Sequence, residues 1–232
     1  MADEKNHVRA AVRDVRRRVD RRKPSGDEEY LLFRLGIADY ISLVALFFGW
    51  TATILVVSGE PNWALVTMLV AFAFDKLDGF YARTFGEPTT MGRHIDAFID
   101  VFTYLVPAVA LYHFVLSPHT SLSVVVGFVV LAFGLLRLVR FASEGLEDDD
   151  GTSYYRGITV VHVNVLVVAN YFLAAFVGFW NGWLAAASIL LAAPLMISNY
   201  RSYKTASSHT VVALLALLLV GLALVLEFGL GF

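Results

Sequence analysis

The sequence predicts an all-α integral membrane protein: a polytopic bundle of about six to seven transmembrane helices, with an amphipathic helix in a cytosolic N-terminal tail. The first observation is composition, because 58% of the 232 residues are hydrophobic and the mean hydropathy is +0.66. Only 16% of the residues are charged, against about 25% in soluble domains. The second is that the apolar residues form long runs, and the third is that Lys and Arg collect at one side of those runs.

The N-terminal tail comes first. Residues 1–30, "MADEKNHVRAAVRDVRRRVDRRKPSGDEEY", are highly charged and lack the apolar core of a signal peptide. Four valines within it follow helical spacing, namely Val8, Val12, Val15 and Val19. With Arg on the other faces, this pattern predicts an amphipathic helix on an anionic membrane surface. The alternative is a solvated, partly disordered basic tail.

Seven apolar stretches after the tail are long enough to cross a bilayer, for which about 20 residues are needed. They lie near 36–57, 63–84, 92–116, 121–142, 158–178, 182–199 and 208–231. The region from 158 to 199 also fits a different division, so the number of spans stays open. We therefore divide the chain into a cytosolic tail, residues 1–34, and a transmembrane domain, residues 35–232.

The distribution of positive charge predicts the orientation of the spans. The loops "SGEPN", "SPHTS" and "GFWNG" contain no Lys or Arg, whereas all 18 such residues lie in the tail or at the opposite ends of the spans. The positive-inside rule then places the N-terminus and the loops near 85–91, 143–157 and 200–207 in the cytoplasm. The acidic loop "EGLEDDDGTSYY" is predicted to be a solvated turn, and the alternative is a mobile flap over a site.

Four aspartates interrupt the apolar sequence in residues 74–100, "FDKLDGFYARTFGEPTTMGRHIDAFID". Asp75 and Asp78 share a helical face with Gly79, Ala82 and Arg83, and Asp96 and Asp100 share one with Gly92. Gly86 and Pro88 between them end one helix and turn the chain back. The pattern predicts two antiparallel helices that face each other with two carboxylates apiece, at the cytoplasmic end of the membrane.

The negative charge of four such aspartates inside a membrane must be offset. A carboxylate inside a membrane costs roughly 2.5 to 3.5 kcal/mol on insertion scales, and four close carboxylates also repel one another. Hard divalent cations with oxygen ligands solve this, and Mg²⁺ is the usual choice where a substrate brings phosphates. Two such ions would clamp a displacement at phosphorus. The absence of Cys excludes disulfides, thiol nucleophiles and Cys-ligated metals.

Two other interpretations of the aspartates remain open. The first is a set of buried salt bridges with Lys76, Arg83 and Arg93, although three cations neutralise only part of the cluster. The second is a cation transporter, in which intramembrane acids mark the ion path and spread towards the midplane. The other acids inside spans are Asp39 and Glu227, which lie near span ends. The clustering at one membrane face therefore favours chemistry over transport.

The same residues carry a resemblance. "DKLDGFYARTFGEPTTMGRHIDAFID" matches, without a gap, the signature D-x2-D-G-x2-A-R-x8-G-x3-D-x3-D of the CDP-alcohol phosphotransferase family. The membrane layout extends the resemblance over roughly residues 35 to 200. It implies metal-dependent transfer of a substituted phosphate from a CDP-linked donor to an alcohol, with release of CMP. It also implies two divalent cations, Mg²⁺ or Mn²⁺.

The resemblance assigns roles to the motif residues. It implies that Asp75, Asp78 and Asp96 are metal ligands, and that Asp100 is the general base on the acceptor hydroxyl as well as a candidate ligand. The implied CDP-binding residues are Asp78, Gly79, Ala82, Arg83 and Gly92.

The acceptor is the harder question. "DVFTYLVPAVALY" and "LLRLVRF" resemble the phosphatidylserine synthase branch of the family. Arg137, Arg140 and Arg156 are the candidate acceptor-binding residues, since such cations suit a serine carboxylate or an acceptor phosphate. The alternative is that they are ordinary positive-inside anchors. The chain departs from the family where Ala38 and Asp39 replace the common Pro-Asn, and where Pro is missing before the fifth span.

Serine is the predicted acceptor, and choline and polyol phosphates such as inositol phosphate or glycerol phosphate are the alternatives. Bacterial phosphatidylcholine synthases share the "TY" and "P-A-x-A-L-Y" features of the third span, and a choline cage needs aromatic residues. Four tyrosines are candidates for it: Tyr104, Tyr112, Tyr154 and Tyr155. The donor is either a diacylglycerol or an archaeol lipid. We expect a homodimer in the cell membrane with its active site facing the cytoplasm, and no nucleic-acid partner.

Overall fold

The structure is a computed structural model that describes residues 35–86, 90–145, 147–149, 152–203 and 218–229. The predicted amphipathic helix and the first part of the seventh apolar stretch lie outside these residues. The described chain is a bundle of helices with one small sheet at one end.

We number the helices in chain order. They are α1 (Ile37–Val57), α2 (Pro61–Phe85), α3 (Thr90–Asp100), α4 (Val106–Leu111), α5 (Thr120–Glu144), α6 (Val160–Phe176), α7 (Gly182–Ala192) and α8 (Leu218–Glu227). A 3₁₀ segment, Ala193–Ile197, continues α7. Two π-helical segments, Val101–Leu105 and Tyr112–Leu116, join α3 and α4 into one rod and extend it. The helices therefore lie where the apolar runs predicted them.

Three helical stretches are long and apolar enough to cross a membrane: Ile37–Val57, Gly92–Leu116 and Thr120–Glu144. The apolar helices Val160–Phe176, Gly182–Ile197 and Leu218–Glu227 are shorter. The chain is thus a helical integral membrane protein, as its composition indicates. The number of spans stays a prediction.

Small residues bring α1 close to its neighbours. Ala45 and Ala52 of α1, and Ala64 and Ala71 of α2, are all fully buried where the two helices pack. Small side chains allow membrane helices to approach closely, because backbone packing replaces the hydrophobic effect there. Gly49 goes further, since a Cβ atom there would lie 2.7 Å from the Phe102 carbonyl oxygen. Helix α1 therefore holds the first π-helical segment by backbone contact.

Two strands of a three-stranded antiparallel sheet lie where the sequence analysis predicted a solvated turn or a flap, and the third lies in the predicted loop near 200–207. Its strands are β1 (Glu147–Asp149), β2 (Thr152–Arg156) and β3 (Arg201–Tyr203), in the order β1-β2-β3. Tyr154 pairs with Tyr203 in the β2–β3 register. The pairing joins segments about 50 residues apart, so no local pattern signals it. The all-α prediction describes the bundle and missed this sheet.

Gly157 explains how β2 leads into α6. Its φ is +74°, and its N–H donates a hydrogen bond of 2.7 Å to the Tyr200 carbonyl. A Cβ atom there would lie 2.3 Å from the Met196 carbonyl oxygen, so a side chain is excluded by space as well as by conformation. The entry to α6, where the sequence lacks the proline common in the family, is therefore formed by Gly157.

Candidate active site

Three of the four aspartates converge at one end of the bundle. Asp75 and Asp78 lie one turn apart on α2, and Asp96 lies on α3, the next helix in the chain. One carboxylate oxygen from each lies within 4.8 Å of the others. The helical spacing explains the two residues on α2, while the reversal of the chain explains why Asp96 faces them.

Asp78 is the most deeply buried of these three. It is 5% exposed and accepts a hydrogen bond of 2.5 Å from the Ser42 hydroxyl on α1. Ser42 is itself buried. The sequence analysis missed Ser42, and the available signal was a lone hydroxyl in an apolar run, one helical turn after Asp39. A serine donor of this kind fixes the orientation of a carboxylate.

Asp75 lies at the more open edge of the cluster. The Lys76 Nζ atom lies 2.7 Å from an Asp75 carboxylate oxygen and 4.9 Å from the centre of the Phe72 ring. The Lys76 side chain is 52% exposed, so water screens this pair and its contribution is small. Of the three cations in the salt-bridge interpretation, Lys76 pairs with Asp75 at the rim, whereas the buried Asp78 accepts from a neutral hydroxyl.

Asp100 follows one helical turn after Asp96. Among the described residues, the converging carboxylates are Asp75, Asp78 and Asp96, and Asp100 lies next to them. The negative charges of Asp75 and Asp96 both act on it. The fourth aspartate thus adjoins the cluster from the side of the α3 rod.

The glycine and arginine of the motif contact each other. An Arg83 terminal nitrogen lies 3.0 Å from the position that a Cβ atom at Gly79 would take. Glycine therefore lets the exposed guanidinium fold back along α2. Ala82 and Gly92 are half-buried. These are the small residues for which the sequence predicted room beside the acids.

Arg137 lies between the cluster and an open pocket. Its side chain is 4% exposed, on α5, and its charge acts on both Asp96 and Asp100. Its guanidinium carbon also lies 5.1 Å from the centre of the Phe141 ring. The pocket is small and open to solvent, and it is lined by Arg137, Arg140, Phe141, Glu144, Gly145, Tyr154 and Arg156.

Arg140 has a different environment from Arg137, although both line this pocket. Its guanidinium donates to the backbone carbonyls of Arg156 at 2.6 Å, Met196 at 3.0 Å and Ile197 at 3.1 Å. The side chain thereby ties the end of α5 to the end of β2 and to the 3₁₀ segment. The Arg156 side chain is exposed at the pocket. The three arginines that the sequence grouped together therefore divide into one buried, one clamping and one exposed residue.

Of the four tyrosines considered for a choline cage, the three whose side chains the structure describes lie in different surroundings. Tyr104 and Tyr112 lie eight residues apart on one rod, about 12 Å along its axis. The Tyr112 hydroxyl donates to the Gly182 carbonyl at 3.2 Å, at the other end of the bundle. Tyr154 lies on β2 under Arg201, whose guanidinium carbon is 5.2 Å from the ring centre. The Tyr155 side chain lies outside the described residues.

The donor set fits a hard divalent cation. Three carboxylate oxygens within 4.8 Å of one another supply the ligand type that Mg²⁺ and Mn²⁺ prefer. Their mutual repulsion also favours a cation between them. The site can therefore hold a divalent metal through Asp75, Asp78 and Asp96.

Comparison with known proteins agrees with this chemistry. The sequence matches the family model described as CDP-alcohol phosphatidyltransferase over residues 35–228. This range includes the four aspartates of the motif, the arginines of the pocket and Ser42.

Curated relatives show what the chain resembles within that range. It is 27% identical over 168 residues to the archaetidylserine synthase of Methanothermobacter thermautotrophicus. The matched residues make up 71% of this chain and 68% of that protein. It is 27% identical over 164 residues to the CDP-diacylglycerol–serine O-phosphatidyltransferase of Saccharomyces cerevisiae, 65% of this chain and 59% of that protein. The protein of the same name from Methanocaldococcus jannaschii is 28% identical over 106 residues, 45% of this chain and 48% of that protein.

Proposed function

The chain belongs to the CDP-alcohol phosphatidyltransferase family, and from this premise we propose that it transfers a phosphatidyl or archaetidyl group from a CDP-linked lipid to L-serine. CMP is the second product. The observation that carries the proposal is the convergence of Asp75, Asp78 and Asp96 within 4.8 Å at one end of an apolar bundle. The names of the relatives, all of which are serine transferases, support serine as the acceptor.

Asp75, Asp78 and Asp96 would hold the divalent cations, two in number and either Mg²⁺ or Mn²⁺. Bound there, the cations supply a positive field that offsets the charge of the pyrophosphate and of the transition state. Ser42 keeps one of these carboxylates, Asp78, in a single orientation from the buried side. Arg83, Gly79, Ala82 and Gly92 line the same faces and would receive the CDP group.

Asp100 would act as the general base. The acceptor hydroxyl oxygen forms a bond to the lipid-bearing phosphorus, the bond from this phosphorus to the CMP oxygen breaks, and the hydroxyl proton passes to Asp100. Asp100 lies one helical turn after Asp96, so its carboxylate would be within reach of an acceptor hydroxyl bound beside the cluster.

Arg137 is our candidate for the serine carboxylate. It is buried between the aspartates and the pocket, so an acceptor bound to it would present its hydroxyl towards Asp100. Arg140 is less suited, because its donors serve backbone carbonyls. Arg156 remains a candidate at the exposed rim. Choline lacks an anion for Arg137, and the tyrosines of its predicted cage lie apart.

The remaining parts of the proposal concern the setting. The distribution of Lys and Arg supports an active site on the cytoplasmic side of the cell membrane. The division at residue 34 between tail and membrane domain, the number of spans and a homodimer stay predictions.

A competition assay tests the proposal directly. Purified protein receives a CDP-linked lipid, Mg²⁺ or Mn²⁺, and serine, choline, inositol phosphate and glycerol phosphate together. We expect CMP release with a serine-containing lipid as the main product. A product with another acceptor would contradict the serine assignment, and absence of CMP release would contradict the enzyme.

A pair of variants tests the acceptor site. Arg137→Gln should raise the KM for serine roughly ten- to hundredfold, since a charge-assisted hydrogen bond contributes about 1.5 to 3 kcal/mol. The KM for the CDP-linked lipid should stay close to that of the wild type. Arg140→Gln is the matched control, and it should lower thermal stability without a selective effect on serine. Unchanged serine kinetics in Arg137→Gln would refute this site.

The cation transporter is tested with proteoliposomes. A transporter would pass cations without any CDP-linked lipid. We expect CMP release and no such flux.

A further inference from the structure

The Tyr104 hydroxyl is buried beside the aspartates without a well-formed hydrogen bond. The residue is 3% exposed, its hydroxyl completes no hydrogen bond with a described residue, and the Asp75 carboxylate is the acceptor within reach of it. Buried polar groups are nearly always satisfied, because leaving one unpaired in an apolar interior is costly. An orphaned hydroxyl next to a metal-binding cluster therefore requires an explanation.

The backbone aims this hydroxyl at the cluster. Asp96, Asp100 and Tyr104 follow one another at intervals of four residues. In a regular α-helix each such step drifts by about 40° around the axis. Tyr104 lies in the π-helical segment Val101–Leu105, where the Val106 N–H bonds to the Val101 carbonyl across a wider turn. The wider turn opposes the drift, so Tyr104 returns to the face of the two aspartates.

Neighbouring side chains hold Tyr104 in this position. Its ring packs edge-on against the Phe72 ring, with 6.4 Å between the centres, and Phe72 lies one turn before Asp75 on α2. Asn164 of α6 donates a hydrogen bond of 2.9 Å to the Tyr104 carbonyl. Of the carboxylates around the hydroxyl, Asp75 acts on it most strongly, followed by Asp100. Lys76 thus approaches Asp75 from the exposed side and Tyr104 from the buried side.

We propose that Tyr104 is a positioning residue that donates a hydrogen bond from its hydroxyl to the Asp75 carboxylate when that carboxylate binds a divalent cation. The inference rests on the proposed function, because it assumes that Asp75 is a metal ligand. The hydrogen bond would do for Asp75 what the Ser42 hydroxyl does for Asp78. Donors behind the ligands restrict carboxylate rotation, and their removal typically weakens metal binding ten- to hundredfold.

Tyr112 provides the contrast within the same rod. It is equally buried, but its hydroxyl already donates to the Gly182 carbonyl, far from the aspartates. If tyrosines in this helix served packing alone, removal of either hydroxyl would leave metal binding unchanged.

The test measures Mn²⁺ binding to full-length protein in detergent, from the loss of the free Mn²⁺ signal in electron paramagnetic resonance. Tyr104→Phe keeps the ring on Phe72 and removes only the hydroxyl, and Tyr112→Phe is the matched control. We expect Tyr104→Phe to weaken Mn²⁺ binding about tenfold or more. Its thermal midpoint without metal should equal that of the wild type. Tyr112→Phe should bind Mn²⁺ like the wild type.

The results distinguish failure of the Tyr104 role from failure of the proposed function. If the wild type releases CMP and binds Mn²⁺, and Tyr104→Phe binds it equally well, the role of Tyr104 is refuted while the proposed function stands. A raised KM for serine with unchanged Mn²⁺ affinity would also refute it, since the hydroxyl would then contact the acceptor. If the wild type itself neither binds Mn²⁺ nor releases CMP, the proposed function fails first.

Discussion

Carboxylates near the two ends of helix α2 have opposite surroundings: one is hydrogen-bonded by neutral donors, and the others face further carboxylates. At its start, Glu227 of α8 accepts a hydrogen bond on each oxygen, from the Trp63 ring at 2.8 Å and the Asn62 amide at 3.1 Å. The Tyr171 hydroxyl in turn donates to Asn62 at 2.6 Å. At the other end, about 20 Å away along the helix, three carboxylates face one another.

This difference distinguishes a structural acid from a functional one. Both oxygens of Glu227 accept from neutral donors, so this carboxylate is satisfied by the protein and joins α8 to α2. The aspartate cluster instead places three carboxylates within 4.8 Å of one another. Ser42 donates a hydrogen bond to Asp78, and Lys76 pairs with Asp75. A cluster of this kind can hold a divalent cation, whereas the oxygens of Glu227 are already occupied by protein donors. Changes at the two ends should therefore affect different properties.

The largest effect is expected at the converging aspartates. Asp75→Asn, Asp78→Asn and Asp96→Asn each remove a metal ligand, and loss of several kcal/mol of charge stabilisation corresponds to roughly a thousandfold decrease in CMP release. The assay is CMP release at saturating Mg²⁺, with Glu227→Gln as the control. Full activity of the wild type in excess EDTA would refute metal dependence.

Asp100→Asn should have the second-largest effect on the rate of CMP release. It also distinguishes a general base from a metal ligand. Loss of a general base decreases the rate by about a hundredfold to ten thousandfold, while Mn²⁺ affinity and the KM for the CDP-linked lipid stay near wild type. Single-turnover rates and Mn²⁺ titration measure the two properties. A fall in Mn²⁺ affinity as large as in Asp96→Asn would show that Asp100 is a ligand instead.

Ser42→Ala should have an intermediate effect. Without the 2.5 Å hydrogen bond the Asp78 carboxylate can rotate, so the Mg²⁺ concentration for half-maximal CMP release should rise about tenfold. Thr53→Val is the matched control, since Thr53 is a buried residue of α1 whose hydroxyl bonds to the Gly49 carbonyl within the helix. An equal rise in both variants would point to a general loosening of α1.

Glu227→Gln should have the smallest effect on catalysis. The amide retains one acceptor, so one hydrogen bond is lost, at about 1 kcal/mol, and the thermal midpoint should fall by about 2 to 4 °C. CMP release at 25 °C should remain within about twofold of the wild type, since the change lies far from the cluster. A loss of activity without a loss of stability would break the distinction between the two ends.

Much of the site was predictable because it is local. The four aspartates, Gly79 and Arg83 obey helical spacing within 26 residues, and the structure brings Asp96 of α3 to the two aspartates of α2. Helix positions were predictable for the same reason, since α1 and α5 follow long apolar runs. Apolar patterning and residue spacing are properties of consecutive residues, so one sequence contains them.

Only the tertiary structure decided which neighbours serve the site. Arg137 and Arg140 lie three residues apart in one helix, yet the first faces the aspartates and the second clamps the carbonyls of a distant segment. Ser42 reaches Asp78 from another helix.

The sequence by itself determined the class of protein and the carboxylate motif, because hydropathy and helical spacing act along the chain. The tertiary structure decided the sheet at the end of the bundle, the division of the arginines and the burial of the Tyr104 hydroxyl. These features depend on close approaches such as Gly49 against Phe102 and Gly157 against Met196. They arise between segments far apart in sequence, so helical spacing and hydropathy do not encode them.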